Sequence, residues 1–109
     1  MGREDAAAAS GIRLLVGGVY ILASAPYGTL YIGVTNDFAR RAFEHREGVG
    51  SQFCARYAVD RLVRMELFED MALAIRREKR LKKWPRQWKI NLIESDNPRW
   101  DDLYDRLNC

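Results

Sequence analysis

The sequence predicts an α+β fold, a small three-stranded antiparallel sheet flanked by helices. Apolar residues alternate with period two over 18–23 and again over 29–34, on either side of a turn containing Pro26 and Gly28. A third strand-like run, RLVRMELF, spans 61–68. Segments of helical composition follow the second and the third of these stretches. At 109 residues the chain holds one core, read as a single domain over 17–109 behind an N-terminal tail, 1–16. Hydrophobic residues at 48% and charged residues at 30% exclude a disordered or fibrous chain.

The start of the tail is Ala-rich, ends in Ser10-Gly11 and carries no chemistry. In the first strand Val19, Ile21 and Ala23 face one way, and Tyr20 and Leu22 the other. In the second, Leu30, Ile32 and Val34 oppose Tyr31 and Gly33, and the short connection makes the pair a hairpin. Thr35, Asn36 and Asp37 offer capping side chains before a helix from Phe38 to His45, which should stop near Gly48. Gln52 to Asp60 is read as a loop. Asp70 caps a helix from Met71 to about Trp84, which Pro85 limits or restarts as a new helix at its first position, and Gln87 to Glu94 is helical by composition. Asn97-Pro98 breaks that helix, and a short C-terminal helix is expected within 100–107.

Leu14 to Ala25 is a run without charge that ends in Ala-Ser-Ala, as a signal peptide does. However, Glu4 and Asp5 stand where such a peptide needs positive charge, and Gly17, Gly18 and Tyr20 interrupt the run. It is also too short to span a bilayer. Ala6 occupies the Ser or Thr position of a myristoylation signal. A cytoplasmic location without a membrane partner is expected.

Two Cys and one His cannot make a four-ligand zinc site or a disulfide framework, which leaves carboxylate oxygen for any metal. The formal charge of +3 is unevenly spread. Residues 76–89 carry eight Lys and Arg against Glu78 alone, a local +7, so the remaining residues sum to −4. A merely solvated face usually mixes both signs, whereas this one suits a phosphate backbone. Arg77, Arg80, Lys82, Lys83, Arg86 and Lys89, with Arg40 on the first helix, are the candidate nucleic-acid contacts. Trp84 and Trp88 interleave with these charges and are read as core residues rather than base-stacking ones.

Glu78 stands out. Met71, Ala74, Ile75 and Leu81 recur at helical steps, and Glu78 falls inside their stripe. A carboxylate there must be paired, protonated or bound to a cation. One reading is a salt bridge to a neighbouring Arg. The other is a single-carboxylate ligand for Mg²⁺, with water in the remaining positions.

A hairpin loop of even length sets Tyr20 opposite Tyr31 or opposite Gly33, and either register puts both tyrosines on one face. Arg41 and His45, four apart, share a helix face. Singly, each has a plain explanation: tyrosines favour strands, Arg41 can bridge Asp37, and a lone His is usually a surface residue or a satisfied core donor. Together with Glu78 they are an unusual set to assemble for stability. Gly18-Val19-Tyr20, ten intervening residues and Tyr31-Ile32-Gly33 resemble the signature of the GIY-YIG nucleases, with Val19 a conservative departure from the family's Ile. Arg41, His45 and Glu78 fall where that family carries its catalytic Arg, its helix His and its metal-binding Glu. The likeness covers about 17–104, and its closing segments, 89–94 and 97–104, resemble the small stand-alone bacterial members. Two departures stand. Lys89 sits near the place where several members put an Asn close to the scissile phosphate, with Asn91 two residues on, so that role is unassigned. Leu62 to Glu66 lacks the aromatic residues that small relatives often carry there.

The resemblance implies a GIY-YIG-like fold and a metal-dependent endonuclease that hydrolyses phosphodiester bonds, DNA ahead of RNA, in DNA repair or recombination. It implies that Glu78 holds Mg²⁺ or Mn²⁺, Arg41 binds the phosphate, and Tyr20 handles the proton of the attacking water, with His45 as relay. Tyr31 would orient the water or the phosphate. A phenol with its ordinary pKa near 10 is a poor base at neutral pH unless Arg41 and the metal lower it. Gly33 is expected to let backbone approach closely beside the site. The rival readings are a non-catalytic nucleic-acid-binding module of the same fold, and a protein-interaction domain that exposes its tryptophans. Strong sequence specificity in so short a chain would require a recruiting partner or a dimer.

Overall fold

The computed structural model describes residues 17–47 and 52–104. The readings of the tail before residue 17, of the stop at Gly48 and of the chain beyond Tyr104 lie outside the described residues. The elements are β1 (Gly18–Ala23), β2 (Leu30–Thr35), α1 (Phe38–Arg46), α2 (Gln52–Tyr57), β3 (Arg61–Leu67), α3 (Met71–Lys83) and α4 (Arg86–Glu94). The sheet has the order β2-β1-β3, and both pairings are antiparallel. This is the expected α+β architecture.

Strand β1 is paired on both sides and buried throughout, so from Gly18 on the uncharged run is the middle of the sheet. Among the described residues no helix is long and apolar enough to cross a membrane. Gly18 opens the strand at φ +151°, where a Cβ would collide with the carbonyl oxygen of Glu66. Only glycine lets β3 come that close.

A bulge in β3 decides which side chains reach which face. Ile21 pairs with Arg64 but Leu22 pairs with Leu62, which leaves Val63 as the extra residue. In a regular strand Leu62, Arg64 and Glu66 would share a face. The bulge instead sends Leu62 to the side of Tyr20 and Leu22, and Val63 to the side of Val19 and Ile21. The amide of buried Asn97 donates to the Val63 carbonyl at 3.0 Å and to the Asp101 carbonyl at 3.0 Å, which fixes the chain after α4 against the bulge. Leu103 N then donates to the Leu62 carbonyl at 2.7 Å.

Each face of the sheet has its own core. Val19, Ile21, Ala23, Ile32 and Val63 pack against Ala74 and Leu81 of α3, Ile90 and Ile93 of α4, and Trp100. Tyr20, Leu22 and Leu62 pack against Phe38 of α1, Cys54 of α2, Val59, Leu103 and Tyr104. Three expectations need correction. Residues 52–57, read as loop, form α2, a helix of less than two turns, too short to display a periodic stripe. Pro85 is the N-cap of α4 rather than its first residue. Trp100 to Asp102 are not helical: Asn97 Oδ1 accepts from Asp101 N, while Asp102 Oδ1 accepts from the N–H of Tyr104, which is helical. Asp70 does cap α3, accepting from Ala72 N at 2.8 Å.

Candidate active site

In the β1–β2 ladder Tyr20 stands opposite Gly33, and Tyr31 opposite Leu22. Both tyrosines therefore share a face, with ring centroids 6.3 Å apart. Tyr20 is buried; Tyr31, on the edge strand, is half-buried. A Cβ at residue 33 would lie 2.5 Å from the Tyr20 hydroxyl oxygen and 2.6 Å from Cζ. Gly33 thus makes room for a side chain, the phenol of Tyr20, and not for an approaching backbone as expected from sequence.

Helix α1 brings Arg41 to this phenol. Asp37 starts the helix by accepting from Arg40 N at 3.0 Å, and its own N–H donates to Thr35 Oγ1 at 3.1 Å. One turn in, the Arg41 charge acts on Tyr20, as do Tyr31, Cys54 and Glu44. Burial lifts the Tyr20 pKa well above the tyrosine range, and Arg41 pulls it down without reversing the shift. Tyr20 is therefore a neutral phenol at neutral pH. Arg41 pairs not with Asp37 but with Glu44, Nη1 to Oε1 at 3.3 Å. Its buried Nε has no hydrogen-bond partner among the described residues. His45 follows one turn later on α1, but its side chain lies outside the described residues. Glu44 and Cys54 were not singled out in the sequence. Glu44 carried a usable signal, its three-residue spacing from Arg41; Cys54, in a segment read as loop, carried none.

Glu78 comes from α3, on the other side of the sheet. Its side chain is 12% exposed and pairs with Lys82 Nζ at 2.7 Å, so the ion pair that the sequence offers as an alternative to a metal forms with a Lys and not with an Arg. Lys82 also lines a cleft of about 330 Å³ with Lys89 and with Leu30, Tyr31 and Ile32 of β2. Glu78 and Tyr31 thus approach the same edge strand, Glu78 through Lys82. Among the described residues no three His, Cys, Asp or Glu are placed to enclose a metal. A single, largely buried carboxylate beside an open cleft fits an ion such as Mg²⁺, which keeps most of its water.

The remaining basic residues divide by occupation. Arg77 donates from Nε and Nη2 to Glu66, at 2.8 and 3.0 Å, and its guanidinium lies 5.2 Å from the Trp84 ring centroid. Arg86 Nη2 donates to the carbonyls of Tyr27 and Gly28 at 2.6 and 2.7 Å, which ties the hairpin turn to α4. Arg40 donates to Asn36 Oδ1, and Lys89 to the Lys82 carbonyl. Arg80 and Lys83 are exposed and make no ion pair or hydrogen bond among the described residues. Trp84 is half-buried against the core, but Trp88 is 55% exposed and meets Trp84 edge-on at 5.7 Å. Its reading as a core residue is corrected: Pro85 interrupts the helix between the two, so their four-residue spacing does not put them on one face.

A model of the GIY-YIG catalytic domain matches residues 16–91. A UPF0213 protein of Staphylococcus saprophyticus is 33% identical over 66 residues, covering 61% of this chain and 80% of its own length. A UPF0213 protein of Haloquadratum walsbyi is 35% identical over 66 residues, 61% of this chain and 74% of its own. A UPF0213 protein of Staphylococcus aureus is 33% identical over 67 residues, with coverage of 62% and 82%. No solved structure matches the chain. The family match spans both tyrosines, Arg41, His45 and Glu78, and the chain belongs to the GIY-YIG nuclease family.

Proposed function

We propose that the protein is a divalent-metal-dependent endonuclease that hydrolyses phosphodiester bonds in nucleic acid, with DNA the first substrate. The observation that carries this is the seat of Tyr20. A buried phenol lies over a residue without a side chain, beside a second tyrosine and within the field of an arginine. A sheet built only for stability would fill that place with an apolar side chain.

Arg41 is suited to the phosphate. Its guanidinium charge sits beside the phenol, and hydrogen bonds to a phosphate oxygen strengthen as negative charge builds. Tyr20 starts as a proton donor. It can hold a water or a phosphate oxygen by donation, and it can accept the water's proton only after passing on its own. His45, one turn beyond Arg41 on α1, is the residue positioned in sequence to take it. Tyr31 borders both the phenol and the cleft, and orients what lies between them. Glu78 would hold the divalent ion, which supplies Lewis-acid stabilisation of phosphate and leaving oxygen when bound. Lys82 and Lys89 in the cleft, with exposed Arg80 and Lys83, provide the positive surface for a phosphate chain.

The test is a panel of labelled duplex, branched and single-stranded DNA and RNA incubated with Mg²⁺ or Mn²⁺. Wild type should cut at least one of them, while Glu78→Ala and Arg41→Ala fold normally and do not. Equal trace cleavage by all three proteins overturns the reading. Salt-sensitive binding without turnover in either metal would replace it with a non-catalytic binding module.

A further inference from the structure

We propose that Lys82 is a resident counter-ion of Glu78 which a divalent cation displaces into the cleft, so that metal binding and phosphate binding are coupled. The proposal rests on the reading of Glu78 as the metal ligand. The two partners of this ion pair are unequal. The Glu78 side chain is 12% exposed, whereas the Lys82 side chain is 53% exposed. The carboxylate has little water of its own and needs a cation; the ammonium stays solvated and can leave without being stranded. Lys82 moreover already belongs to the cleft, whose other walls are Tyr31, Leu30, Ile32 and Lys89. A lysine released from Glu78 therefore has a place to go within its own reach.

Charge gives the direction. Lys82 and Lys89 against Glu78 sum to a formal +1 at the cleft, and a divalent ion on Glu78 raises this to +3. The metal thereby creates the anion site: it adds its own charge and frees an ammonium that a carboxylate had neutralised. Lys89 is not a substitute, because its ammonium bonds the Lys82 carbonyl at 3.3 Å and not Glu78. An ordinary pair one helical turn apart has the same spacing, but neither the buried carboxylate nor the cleft beside it.

The test measures Mn²⁺ binding to the purified chain at fixed ionic strength, by the electron paramagnetic resonance signal of free Mn²⁺. Lys82→Met should bind Mn²⁺ about tenfold tighter than wild type, the size of a typical coupling. Lys79→Met, which removes an exposed charge one residue from Glu78 that forms no ion pair with it among the described residues, should shift it no more than about twofold, because an exposed charge is screened by solvent. Glu78→Gln should lose the site. Thymidine 5′-monophosphate serves as the phosphate probe: Lys82→Met should bind it more weakly than wild type by no more than about twofold without metal, and by about fivefold with Mn²⁺. Equal tightening by Lys79→Met and Lys82→Met overturns the proposal, because a general field would then explain it. So does a nucleotide deficit of Lys82→Met that is the same with and without Mn²⁺. If Glu78→Gln binds Mn²⁺ as wild type does, the assignment of Glu78 falls; if only the Lys82 differences fail, that assignment stands and the exchange does not.

Discussion

Arg77 and Glu78 are neighbours in α3, yet Arg77 reaches Glu66 at the β3 edge of the sheet while Glu78 pairs with Lys82, which lines the cleft at the β2 edge, and the two edges treat charge differently. On the β3 side, Glu66 accepts from Arg64 Nε at 2.9 Å and from Arg77 Nε and Nη2 at 2.8 and 3.0 Å. Burial alone would raise its carboxyl pKa, but the bonds from Arg77 and Arg64 and their charges outweigh it and hold the group below the usual carboxylate range. On the β2 side, Glu78 has one solvated ammonium and an open cleft. A carboxylate saturated by two guanidinium groups is a cross-link between strand and helix. One that is held by a single exposed lysine remains open to another cation.

The largest effects should separate these two carboxylates completely. Glu78→Ala is expected to lower cleavage by at least about a thousandfold, as loss of metal-assisted charge stabilisation does. Its melting temperature should stay within about 2 °C of wild type, since the pair it loses is partly exposed. Glu66→Ala should do the reverse. It leaves Arg77 without its anion and Arg64 with only the exposed Asp96, at a cost of about 2 kcal/mol, which lowers the melting temperature by roughly 10 °C in a domain of this size. Its metal affinity should not change. Circular-dichroism melts beside a cleavage assay on both variants decide it. A Glu66→Ala protein that melts like wild type, or a Glu78→Ala protein that does not, breaks the contrast.

Gly33→Ala comes next, and it tests the other face. The new methyl group meets the Tyr20 ring at distances that only a displaced phenol can relieve. Overpacking of this kind costs about 1–3 kcal/mol. Cleavage should fall further than that destabilisation explains, because the phenol moves away from Arg41. Comparing rates at a temperature where both proteins are fully folded isolates this effect. Wild-type activity there would remove Tyr20 from the mechanism.

The sequence showed one half of this contrast better than the other. The shared face of the tyrosines and the low exposure of Glu78 were legible because hairpin alternation and helical spacing are local, and each needs only a few neighbouring residues to be recognised. The Glu66 clamp was not. Glu66 and Arg77 are eleven residues apart, and they meet only because the Val63 bulge turns Arg64 and Glu66 toward α3 while Leu62 goes the other way. Nothing in RLVRMELF marks where the extra residue falls. Helical spacing also overstated the apolar stripe of α3: Ala74 and Leu81 are buried but Ile75 is exposed, on the flank that Glu78 and Lys82 occupy. Spacing does not single out the partner of Glu78 for a related reason. Its nearest arginine in sequence, Arg77, is committed to the opposite edge, which leaves Lys82 one turn on.

The smallest expected effect concerns pH and asks whether the clamp works through charge. The folded pKa of Glu66 lies below its unfolded value, which for glutamate is about 4.3. The unfolded chain therefore binds the proton first as pH falls. The contribution of Glu66 to stability is complete above the unfolded pKa and is lost as pH drops through the folded one. The difference in melting temperature between wild type and Glu66→Ala should stay constant from pH 8 to about 5 and narrow below about 4. It should also persist in 1 M NaCl, because screening acts weakly on a pair whose groups are mostly buried. A difference that held unchanged down to pH 3 would mean that Glu66 supports the sheet by packing and hydrogen-bond geometry alone. The two edges would then differ in solvent access rather than in how firmly they hold a charge.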